Sequence, residues 1–144
     1  MISSEAYFVD TNVWLYRLFD DQRIEATERQ RKRDITIPII DAAGVIISTQ
    51  VVNEISVNLL KKAAFNEGQI TTAIETLYNR CTVVEFNLAI LKSASDLRSR
   101  YNFSYWDSLI IASALSAGAS IVYSEDMQDG LVVADRLEIV NPFK

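Results

Sequence analysis

Short runs rich in β-branched and aromatic residues alternate along this chain with longer stretches whose apolar residues keep helical spacing. No other feature restricts its fold as much. The runs cover residues 6–10, 45–49, 82–86, 120–123 and 137–140, and each reads as a strand. The longer stretches cover 11–19, 23–33, 50–65, 69–80, 89–101 and 106–117. In 50–65, Val52, Ile55, Leu59 and Ala63 share one helical face, and Gly118 follows 106–117 as a stop signal. Pro38 is expected to end or kink what precedes it, and 38–43 is open between a short helix and an irregular connection. The alternation predicts an α/β fold: a central, mainly parallel, five-stranded sheet flanked by helices and joined by right-handed crossovers. A chain of 144 residues fits one domain, spanning 1–144, with a core of its own.

What the chain lacks narrows its chemistry. It has no histidine, which excludes Ser-His-Asp and Cys-His catalysis, histidine-ligated zinc and the commonest general base. Its single cysteine, Cys81, excludes an internal disulfide and suits a reducing compartment. Met1 to Glu5 offers neither a basic segment nor a long apolar one, so a secretion signal is not expected. The longest uncharged stretch, 108–124, is interrupted by serines and Gly118 and is shorter than the roughly 20 apolar residues of a membrane span. These readings predict a cytoplasmic protein with no membrane attachment. The net charge of −5 opposes broad electrostatic affinity for nucleic acid, unless acidic side chains gathered around a cation account for it.

Three acids, Asp10, Glu54 and Asp126, stand where such a fold gathers ligands, outside the carboxyl ends of its strands, and a fourth, Asp107, differs in opening the helix that leads into the fourth run. Asp10 ends the first run in "YFVDTNVWLY"; Glu54 lies one turn into the helix after the second; Asp107 opens the helix of "YWDSLIIASAL"; Asp126 follows the fourth run in "VYSEDMQDG". Each also has an ordinary reading, as a helix cap, a half of the capping box "SYWD", a first-turn carboxylate or a turn residue. Asp10 and Asp107 sit beside strongly apolar sequence, where an unpartnered carboxylate is costly. Several such acids at one sheet edge call for a cation. Oxygen ligands without His or Cys select a hard one, Mg²⁺ or Mn²⁺, and such a site suits phosphodiester hydrolysis.

"FVDTNVWLY", "ISTQVVNEI", "FSYWDSLIIASAL" and "IVYSEDMQDG" resemble the four acidic motifs of the PIN domain, in order, between residues 8 and 130. The resemblance implies a single PIN-like domain with metal-dependent ribonuclease activity. It carries Asp10, Glu54, Asp107 and Asp126 onto the catalytic, metal-binding acids. Thr11 and Asn12 match the small polar pair beside the first acid, and Ser124 the hydroxyl before the last. Within the family the chain is similar to VapC toxins of toxin–antitoxin pairs. That likeness implies an RNA substrate, a homodimer and an antitoxin that offers Arg or Lys to the acids from an apolar groove near Trp14 and Tyr16. The last motif departs from the commoner Thr-x-Asp-x-Asp-Phe pattern, which leaves Glu125 and Asp129 as auxiliary acids to be tested. The rival is a catalytically silent PIN-like interaction module. A dehalogenase-type phosphatase needs a second Asp where Asn12 stands, and a phospho-receiver needs an early acidic pair that is missing.

Two further features admit two readings. Arg29, Lys32 and Arg33 share a helix face and could guide RNA, but mixed with Glu25, Glu28 and Asp34 they read as an ion-paired surface. Trp14, Tyr16, Tyr105 and Trp106 have the faces to stack on bases. Trp106, within an apolar run, is expected in the core; Tyr105 stays open.

Overall fold

A computed structural model describes residues 6–144, so residues 1–5, on which the expectation of no secretion signal rests, lie outside the described residues. The elements run β1 (Tyr7–Val9), α1 (Thr11–Leu18), α2 (Ala26–Ile40), β2 (Val45–Ser48), α3 (Thr49–Lys62), α4 (Glu67–Arg80), β3 (Thr82–Val84), α5 (Leu88–Arg100), α6 (Tyr105–Ser116), β4 (Ile121–Tyr123), β5 (Val132–Val133) and β6 (Leu137–Val140). One sheet takes the order β3-β2-β1-β4-β6-β5. All neighbours pair parallel except β5 with β6.

The expected α/β fold with a mostly parallel sheet is present, with one correction: the sheet has six strands, not five. The strand missed is β5, two residues long and too short to show alternation. Its turn into β6 also lacks the Asn-Gly or Asp-Gly signal of a tight hairpin. Ala134 and Asp135 occupy it with φ of 52° and 58°, closed by Arg136 N donating to Val133 O at 3.1 Å.

The second correction concerns α2, which starts at Ala26 and runs through Pro38 to Ile40. Its cap is Glu25, whose carboxylate accepts from Thr27 N at 3.1 Å and Glu28 N at 3.0 Å. Pro38 falls in the last turn, where the missing donor costs least cooperativity. Ile40, 3% exposed, anchors the end of the helix in the core.

The core is built around the sheet, with Phe8, Val9, Ile47, Val122 and Ile139 wholly buried. Helix α6 is buried from Ser108 to Leu115, which explains its uninterrupted apolar sequence; each such Leu or Ile contributes about 1.5–3 kcal/mol by burial. Buried on every side, the helix is fixed in place, and so is its exposed amino-terminal turn. Among the described residues no helix is long and apolar enough to cross a membrane. In the sheet, β1 has β2 on one side and β4 on the other, so the chain's direction of travel reverses there. The carboxyl ends of β1 and β4 flank the crevice that such a reversal leaves.

Candidate metal centre

Asp10 leaves β1 at that crevice. Its backbone N–H stays in the sheet, donating to Tyr123 O at 3.0 Å, and its carbonyl accepts from Val13 N at 3.2 Å in the first turn of α1. Asp10 is therefore the cap of α1, with Oδ1 accepting from Thr11 N at 2.8 Å. The capping reading is correct, and it accounts for one oxygen. The other, Oδ2, accepts from Ser124 Oγ at 2.9 Å. Ser124, wholly buried at the end of β4, also lies 3.4 Å from Met127 N, which donates to it. The Asp10 carboxylate is thus held at one end by the next residue and at the other by a residue 114 positions away in sequence.

The other acids arrive from separate elements. Ser48 ends β2 and caps α3 through Val51 N, placing Gln50 and Glu54 one turn apart on the face toward β1. Ser104 caps α6 by accepting from Asp107 N at 3.1 Å, the Ser104 half of the expected capping box. Asp126 follows β4, and Asn12 Nδ2 donates to its Oδ2. Asp10, Glu54, Asp107 and Asp126 then line one cavity of about 170 Å³ together with Thr11, Asn12, Gln50, Trp106 and Ile110. Asp10 forms its floor, Asp107 is half-buried, and Glu54 and Asp126 stand at the open rim.

The electrostatics match that placement. Burial raises the Asp10 carboxyl to about 6; the Thr11 N–H and the Ser124 hydroxyl pull it down, and the Glu54 and Asp107 charges push it up. Glu54 is raised by desolvation and by Asp107, and the Gln50 amide offsets part of this. Asp107 is raised by desolvation and by the Asp126 charge, against the Ser104 hydroxyl. Asp10, Glu54 and Asp107 resist ionising chiefly because burial strips water from their charges, and neighbouring acids add to the effect, the signature of a site short of positive charge.

A hard divalent ion fits this donor set, which is all oxygen. Thr11 Oγ1 is buried at the same wall without a hydrogen-bond partner, leaving a further oxygen uncommitted. Among the described residues no three acids converge tightly enough to ligate an ion directly at once. Like charges 4 Å apart repel by about 4 kcal/mol at an effective dielectric of 20, so carboxylates alone hold themselves apart. The cavity suits an ion that keeps several waters and takes one or two direct carboxylates, as Mg²⁺ does.

Glu125 and Asp129 face away from this cavity. Glu125 accepts from Tyr16 Oη at 2.6 Å and pairs with Lys32 at 2.5 Å; Asp129 accepts from Asn141 N at 2.8 Å. Both are committed to holding the chain together. The basic face of α2 is likewise ion-paired, though largely not with the acids expected. Arg33 pairs with Asp20 at 2.7 Å, Lys32 with Glu125, and Arg29 lies 3.9 Å from Asp20. Trp14 is buried, its Nε1 donating to Val9 O at 3.2 Å, and it lines an apolar groove of about 240 Å³ with Leu18, Ile40 and Leu77. Tyr16 does not line that groove. Trp106 is a correction: it is 61% exposed, and Tyr105 is 54% exposed. Both belong to the first turn of α6, before the helix enters the core. Sequence reasoning also missed Gln50, whose only signal was its place one helical turn before Glu54.

The chain belongs to the PIN domain family, which matches residues 7–129. No curated protein matches it by sequence. In fold it is similar to a toxin–antitoxin complex from Klebsiella pneumoniae (TM-score 0.64, 18% identity, 96% of this chain and 98% of that one). It is also similar to Mycobacterium tuberculosis VapC20, described as a sarcin–ricin loop cleaving toxin (0.61, 18%, 84% and 90%). A third similar structure is Rickettsia felis VapBC2 bound to a DNA fragment from its promoter (0.61, 15%, 94% and 99%).

Proposed function

We propose that this protein is a Mg²⁺- or Mn²⁺-dependent endoribonuclease and the toxin of a toxin–antitoxin pair. The observation that carries the reading is the meeting of four acids, from four separate elements, in one cavity at the switch point of a PIN-family sheet. Asp10, Glu54, Asp107 and Asp126 would hold the ion, one or two of them directly and the others through its waters. When bound, that ion supplies Lewis acidity and positive charge to the scissile phosphodiester. Asp10, gripped by Thr11 N and Ser124 Oγ, keeps a fixed orientation. Asn12 holds the Asp126 carboxylate at the rim. Glu54 is open to solvent with a raised pKa, so its carboxylate is suited to take the proton from an attacking water.

The toxin part rests on the likeness in fold to proteins described as toxins. An antitoxin segment is expected to run over the apolar groove at Trp14 and to extend an Arg or Lys toward the acids. A cytoplasmic homodimer completes the reading. Purified protein should cut RNA in Mg²⁺ or Mn²⁺, lose the activity in EDTA and regain it with excess ion. Expression alone should arrest growth, and co-expression with the neighbouring gene should restore it. Cleavage that persists in EDTA contradicts the metal mechanism. No cleavage under any divalent condition favours the silent interaction module.

A further inference from the structure

A second, larger cavity of about 530 Å³ adjoins the acids, lined by Thr49, Gln50, Asn53, Glu54, Phe86 and Trp106. Gln50, Glu54 and Trp106 line both cavities, so the two share a wall. From the exposed Trp106 and Phe86 and the two carboxamides, we infer that this pocket is a nucleobase subsite: it seats one unpaired base of the RNA beside the phosphodiester held at the acids. The inference rests on the ribonuclease reading and deepens it.

The lining suits a base rather than a phosphate. It contains no Lys or Arg and one acid, Glu54, so it offers a phosphate nothing. Trp106, 61% exposed, and Phe86, 38% exposed, supply the aromatic faces on which single-stranded bases stack. Trp106 is rigidly based: its ring meets Tyr105 edge-on at 5.2 Å, and Arg98 lies over Tyr105 at 4.4 Å. The carboxamides of Gln50 and Asn53 carry donors and acceptors of the kind that read base edges. Gln50 Nε2 donates to Trp106 O at 3.3 Å, which fixes the amide's orientation, and its Oε1 is buried with no partner.

The two tryptophans make the test direct, because Trp14 is 4% exposed and Trp106 is 61% exposed. Nucleoside 5′-monophosphates have no phosphodiester to cut, and ribose 5-phosphate differs from them only in lacking the base. Titrated in Mg²⁺, the monophosphates should quench the exposed tryptophan saturably, and ribose 5-phosphate should not. The quench should vanish in Trp106→Phe, which assigns it to that side chain. In RNA cleavage, Trp106→Ala should raise KM roughly tenfold or more while kcat changes little, with Trp106→Phe recovering most of the loss, as stacking requires. No quench, or an equal effect of ribose 5-phosphate, overturns the subsite. A slower-sedimenting Trp106→Ala with unchanged KM also overturns it, and assigns the face to a second copy of the chain. Quenching by monophosphates in a protein that never cuts RNA leaves the subsite standing and removes the nuclease reading instead.

Discussion

Asp10 is at once a helix cap and the floor of the acid cavity, and its two oxygens divide the roles: one takes the Thr11 N–H, the other the Ser124 hydroxyl. Its folded pKa of about 6 lies above the ordinary value of 3.8. A carboxyl raised in this way favours the folded state most below pH 4. The benefit disappears as pH rises through 6, because the folded chain must then carry a charge that the unfolded chain carries more easily. Glu54 and Asp107 are raised too and act in the same direction. Without metal, thermal stability should therefore fall between pH 4 and 7. Asp10→Asn keeps the cap, since Asn caps about as well as Asp, and removes the charge. It should flatten that fall and gain on the order of 1–3 kcal/mol at pH 7.5 in EDTA, while cleavage drops by orders of magnitude. Unfolding curves across pH in EDTA read this; an unchanged slope in the variant contradicts the burial argument. In sequence, Asp10, Glu54, Asp107 and Asp126 were legible from their places around the strand ends and helix starts, whereas Thr11, Asn12 and Ser124 were marked only by the resemblance to the family's motifs. Gln50 and the exposure of Trp106 were not legible. Nothing in "SYWDSLII" distinguishes a tryptophan one turn before the core from one inside it.

Among the elements, periodicity located five of the six expected helices to within a few residues, since long apolar patterns average out local preference. It failed where another force decided the outcome. Helix α2 outlasts Pro38 because Ile40 is anchored in the core. Strand β5 forms without a turn signal because its two residues add to the edge of an existing sheet. The β5–β6 turn holds two residues with side chains at left-handed φ, a conformation that costs roughly 1–2 kcal/mol for each ordinary residue. Replacing Ala134 by Asn and Asp135 by Gly together supplies the turn sequence this geometry favours. The double variant should gain about 1–2 kcal/mol, seen as a higher denaturation midpoint with an unchanged slope in urea. A loss of stability contradicts the turn assignment.

At the scale of the whole molecule, the net charge of −5 sits awkwardly with an RNA substrate until the ion is counted. The basic face of α2 is largely spent on internal pairs, so on the proposed function RNA would be held at the cavity by ion and base contacts rather than by a broad basic surface. Affinity for single-stranded RNA should then depend weakly on salt, with a log–log slope of magnitude about 1–2, since each neutralised phosphate contributes roughly 0.7. A slope several times steeper, read by titration across salt concentrations, assigns binding to the basic face instead. The central claim is that the four carboxylates make one cation site, and calorimetric titration of Mn²⁺ at pH 7.5 tests it most directly. Wild-type protein should bind the ion saturably, and Asp10→Asn should bind it at least tenfold more weakly, about 1.4 kcal/mol. Equal affinity of the two proteins, or no binding by the wild type, contradicts the cation site and leaves Asp10 as a helix cap alone.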